Sequence, residues 1–105
     1  MLGALAMGAK GAVGSGFNFA APIYNRLLAA FEKNDFEAAR EEQFRGVQII
    51  SLFSSHGYMG AAKAAMEMLG VNVGPARLPN VTLNAEQKEK LRGELEALGF
   101  FDWVG

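Results

Sequence analysis

The chain has 105 residues, half of them apolar and a fifth charged, the balance of one small globular domain and not of a disordered segment. A formal net charge of -1 gives no electrostatic reason to expect nucleic acid or an anionic membrane as a partner. With no cysteine, disulfides and thiolate metal sites are excluded and secretion finds no support, so a cytoplasmic location is expected.

Met1 to Ala9 is apolar and rich in small residues. A secretory signal carries its basic residues ahead of such a stretch, whereas Lys10 follows it, and the stretch is too short to span a bilayer. Leu2 to Met7 is therefore predicted to form a short core-facing helix that stops at Gly8. Gly11-Ala12-Val13-Gly14-Ser15-Gly16-Phe17-Asn18 has no helical period, and its small residues suit a buried strand leading into a tight loop. Such a strand cannot satisfy its own backbone groups and needs neighbours that the rest of the chain does not supply.

Helices are predicted from there on. Pro22 suits a helix start, with Ile23, Leu27, Ala30 and Phe31 on one face and Asn25, Arg26, Glu32 and Lys33 on the other. Asn34 ends that helix. Asp35 can cap a long one, from Phe36 to about Ser55, whose apolar face includes Phe36, Ala39, Val47, Ile50 and Phe53 and whose terminator is Gly57. A helix rich in alanine and methionine follows, from about Gly60 to Leu69, and stops at Gly70. Val71 to Val81 carries Pro75 and Pro79 and is predicted to be an extended loop. Asn84 with Gln87 forms a capping-box pattern ahead of a last helix with Leu91, Leu95 and Leu98 as its buried stripe and Gly99 as its end. The aromatic tail, Phe100 to Val104, is expected to dock onto the helices.

One lone strand among helices is an odd plan for a free-standing domain and a natural one for the end of a (β/α)8 barrel, which takes about 250 residues in all. Ala9 to Asn18 resembles the N-acetylneuraminate lyase family, in the superfamily that also holds dihydrodipicolinate synthase. The family's Gly-Ser-Thr-Tyr-Asn strand end stands here as Gly14-Ser15-Gly16-Phe17-Asn18. The likeness continues through Asp35-Phe36-Glu37-Ala38-Ala39, Gly60-Ala61-Ala62-Lys63-Ala64 and Gly74-Pro75-Ala76-Arg77-Leu78-Pro79. It implies a mostly α fold with one short β-strand, the C-terminal portion of a (β/α)8 barrel plus a helical extension. Residues 1–34 would supply the last helix, strand and helix of the barrel, and residues 35–105 the extension.

The resemblance also implies a chemistry: reversible cleavage of N-acetylneuraminate to pyruvate and N-acetylmannosamine through a lysine imine, with no metal or organic cofactor. The imine lysine, its assisting tyrosine and the loop that holds the pyruvate carboxylate would all precede Met1, so the isolated chain is expected to be inactive. Ser15 is the one position carried over, as a contact to the hydroxylated part of the substrate. The plainer reading is that Ser15 caps the strand-to-loop turn. Gly16 and Phe17 remove two family hydroxyls beside it. Pyruvate and amino sugar would be partners only of the complete enzyme, and the chain itself is expected to pair with the rest of the barrel or with itself.

Other candidates carry plainer readings. The glycines at 8, 11, 14 and 16 match neither a P-loop nor a dinucleotide fingerprint and suit close backbone packing. An imine lysine needs burial or a neighbouring cation to be partly neutral. The resemblance puts Lys10 ahead of the strand, opposite the catalytic mouth, and Lys63 in the extension, so both are expected as solvated surface lysines. His56, the single histidine, suits the C-terminal end of the long helix, where positive charge meets the helix dipole. Arg77 could pair with a carboxylate at a packing or subunit interface. Phe44, Phe53, Met59, Met66 and Met68 are expected to be core or interface rather than a cofactor pocket. Two readings of function stand at this point: part of a lyase or of a related 2-keto-acid aldolase, or a helical module that hides apolar faces by association.

Overall fold

The computed structural model describes residues 1–105. It contains six helices: α1 (Leu2–Ala6), α2 (Phe17–Glu32), α3 (Phe36–Ser55), α4 (Tyr58–Met68), α5 (Ala85–Leu98) and α6 (Phe100–Val104). The expected β-strand is absent. Ala9 to Gly14 is irregular, Ser15 and Gly16 form a turn, and Phe17 and Asn18 already belong to α2. The reason lies in the hydrogen bonds. The amides of Lys10 to Ser15 donate to no other backbone or side-chain group, because no second strand lies alongside. This arm is exposed, with Val13 fully so.

The helices obey their local signals more closely. α2 is kinked at Ala20 (φ -130°, ψ 22°), and Pro22 opens the straight section beyond, where its missing N–H costs no helical bond. The turn from Phe17 to Ala20 extends the helix ahead of the predicted start. Asn34, at φ 59°, ends α2, and the Asp35 carboxylate accepts from the Ala38 amide at 3.1 Å to start α3. Asn84 and Gln87 close a reciprocal capping box on α5 at 2.8 and 2.9 Å. Gly99, at φ 92°, takes a left-handed conformation that other residues resist, ending α5 and turning the chain into α6.

The core joins Phe19 and Ile23 of α2, Ile49 and Phe53 of α3, the small face of α4 around Ala61 and Ala65, and Leu91, Leu95 and Phe100. Alanines at 61, 62, 64 and 65 keep that face of α4 flat, so that its neighbours pack close to its backbone. The buried stripe of α3 is Ala39, Glu42, Gly46, Ile49 and Phe53, at helical spacing. Phe36 and Val47, expected on that face, lie to one side of it and are 45% and 47% exposed. A glycine and a glutamate occupy the stripe in place of apolar residues. A Cβ on Gly46 would come within 3.0 Å of the Tyr24 hydroxyl, so only glycine lets Tyr24 of α2 cross there unhindered.

Glu42 is buried because two arginines meet it. Arg26 Nε and Arg45 Nη1 donate to its Oε1 at 3.0 and 2.8 Å, and Arg26 Nη2 donates to Oε2 at 3.1 Å. Arg26 also donates to the Trp103 carbonyl at 2.9 Å, and the Arg45 guanidinium stands 5.4 Å from the Trp103 ring. Arg26, placed in the sequence on the face opposite the apolar one, thus ties α2, α3 and α6 together. No helix is long and apolar enough to cross a membrane. In urea denaturation, Phe53→Ala should lower stability by about 3–5 kcal/mol by leaving a cavity, whereas Phe44→Ala, at a side chain 60% exposed, should stay within about 0.5 kcal/mol. Equal losses at the two sites would contradict this placement of the core.

Candidate functional site

Ser15 sits at the junction of the arm with α2, exposed, in a turn. Its hydroxyl oxygen is 2.7 Å from the hydroxyl of Tyr58, the first residue of α4. Its carbonyl accepts from the Asn18 side-chain amide at 3.1 Å. Two shallow depressions flank it. One, of about 300 Å³, is bordered by Ser15, Asn18, Phe19, Met59, Lys63 and Met66. The other lies between the arm, Tyr24, Ile50 and Tyr58.

Three aromatic rings frame this corner. Phe17 meets Tyr24 edge to face at 4.6 Å, and Tyr58 stands 6.3 Å from the core residue Phe53. Burial, and secondarily the neighbouring Tyr58, hold the Tyr24 phenol above the usual tyrosine range. Neither tyrosine was singled out in the sequence. Tyr58 follows the predicted stop at Gly57 and precedes the predicted helix start at Gly60, so nothing in the helical pattern distinguished it from a loop residue.

Of the other candidates, Lys10 is exposed. Lys63 is partly exposed and donates to the Val73 carbonyl at 3.3 Å in an exposed contact. It borders the same depression as Ser15. His56 does end α3, and its Nε2 is hydrogen-bonded to the Glu94 carboxylate of α5, a partner that periodicity could not reveal. Arg77 is exposed and makes no ion pair. Phe53 is core, Met66 and Met68 pack against it, and Met59 and Phe44 are exposed. No three carboxylate or imidazole groups converge closely enough to hold a metal ion.

Residues 1–98 match the dihydrodipicolinate synthetase family. The chain belongs to that family. Within it, the chain is similar to N-acetylneuraminate lyases. It is 35% identical to the Pongo abelii enzyme over 99% of this chain and 33% of that one. The solved N-acetylneuraminate lyase (sialic acid aldolase) of Aliivibrio salmonicida is 40% identical, with a TM-score of 0.86 over 94% of this chain and 33% of that one. That of Proteus mirabilis is 36% identical, with a TM-score of 0.83 over 91% and 32%. The chain thus spans about a third of the length of its lyase relatives.

The half-buried phenol of Tyr24 makes this corner testable by spectroscopy. Because folded Tyr24 holds its proton more tightly than the unfolded chain does, its contribution to stability is complete below pH about 10. It is lost as the pH rises from there through the higher folded value. An ultraviolet titration should show one tyrosine ionising late, and Tyr24→Phe should remove that phase. A single transition at the free-tyrosine value would contradict the partial burial of this group.

Proposed function

We propose that this chain is the C-terminal third of an N-acetylneuraminate lyase-type aldolase, which reversibly cleaves N-acetylneuraminate into pyruvate and N-acetylmannosamine. The observation that carries this reading is the match of nearly the whole chain to N-acetylneuraminate lyases, at 40% identity and a TM-score of 0.86 in one solved structure. Residues 1–34 are assigned to the end of the barrel wall, the arm from Lys10 to Ser15 being its last strand once neighbours are present. Residues 35–105 are the helical extension. The complete protein is assigned to the cytoplasm.

In this reading a lysine imine accepts the electron pair released as the carbon–carbon bond breaks, and that lysine comes from the barrel portion. What residues 1–105 contribute is binding. Ser15, at the C-terminal mouth of the last strand, offers its hydroxyl to the hydroxylated end of the substrate, where the loops of such barrels converge. Pyruvate and the amino sugar are ligands of the assembled enzyme, and the isolated chain is inactive. A 2-keto-acid aldolase of the same family differs from this reading only in the substrate. A second reading, a helical module that self-associates, is favoured by one observation: the exposed amides of Lys10 to Ser15 are unpaired and available to another copy.

The chain co-expressed with the first two thirds of the Aliivibrio salmonicida lyase should form a complex that cleaves N-acetylneuraminate. Borohydride reduction with pyruvate should trap an adduct on the complex and none on the chain alone. An adduct on Lys10 or Lys63 of the isolated chain would overturn this division of labour. A stable dimer of the chain by light scattering, with no complex formed, would favour self-association.

A further inference from the structure

Ser15 and Tyr58 are not equivalent partners. The Tyr58 ring packs against the core beside Phe53, so its hydroxyl is placed by the fold of α3 and α4. Ser15 lies on an exposed turn, and a serine hydroxyl rotates freely unless another group holds it. Their contact is the only side-chain hydrogen bond that carries the arm to a distant part of the chain. Positions 16 and 17, glycine and phenylalanine, offer no competing hydroxyl.

The chemistry of the pair gives it a direction. A phenol is a far stronger proton donor than an alkanol, and its oxygen is the poorer acceptor because the ring withdraws its lone pair. At 2.7 Å the favoured arrangement has Tyr58 donating to Ser15 Oγ. The serine proton is then left free for another acceptor, and the depression that Ser15 shares with Asn18 and Lys63 lies open beside it. We propose that Tyr58 is a positioning residue that holds the Ser15 hydroxyl so that its proton points at a hydroxyl or carbonyl oxygen of a polyhydroxylated ligand. This rests on the reading of Ser15 as a substrate contact and adds the group that orients it.

The test uses the complete chain in the complex with the upstream two thirds of the lyase, and N-acetylneuraminate as probe. Tyr58→Phe keeps the ring in the core and removes only the hydroxyl. It should raise KM roughly three- to tenfold, the worth of one hydrogen bond, with the smaller part of the loss in kcat. Ser15→Ala should cost at least as much. In the Ser15→Ala background Tyr58→Phe should add nothing, because it acts through a group no longer present. Full additivity of the two changes, or a silent Tyr58→Phe beside a damaging Ser15→Ala, overturns the positioning role and leaves the substrate contact standing. A silent Ser15→Ala, or no cleavage by the native complex, removes the underlying reading and this proposal with it.

Discussion

A backbone amide that leaves water has to find an acceptor, and those of Lys10 to Ser15 find none within this polypeptide. A helix supplies its own acceptors four residues back, so α2 to α5 satisfy most of their backbone groups within themselves. A strand depends on other strands. The same chain therefore holds a helical body with a closed core and an arm that lies open to solvent, with Val13 projecting from it. That division sets where chemistry can be placed. Ser15 stands at the boundary, its backbone in the open turn and its side chain held by a helix of the body.

How legible each part was follows from the same distinction. The helix limits were readable because the groups that stop and start helices act locally: Asn34 and Asp35 between α2 and α3, the capping box at Asn84, and Gly99 at the head of the tail. The arm was misread because strand pairing is not local. The small residues from Gly11 to Gly16 suit close packing between strands, and no second strand lies beside them in this chain.

The face of α3 was right at Ala39 and Phe53 and misread at Phe36 and Val47, for another reason. Hydrophobic periodicity counts apolar side chains, whereas the contact with α2 is centred on Gly46 and its neighbour Glu42. Glycine is buried there for its smallness and glutamate for its two arginines, and neither registers as apolar. At the candidate site Ser15 was nominated through family resemblance. Tyr58 and Lys63 came to it only through tertiary packing, across separations that no motif spans.

The lyase reading joins these parts physically: a helical body with its own core, an arm whose amides lack partners, and a hydroxyl pair where the two meet. Amide hydrogen exchange on residues 10–15 tests this most directly. In the chain alone these amides should exchange about as fast as unprotected peptide, while the α3 and α5 amides are slow. In the complex with the upstream two thirds of a lyase they should slow by roughly a hundredfold or more as strand pairing forms. Slow exchange at Gly11 to Gly14 in the chain by itself would show that the arm already has its partners and would contradict the account.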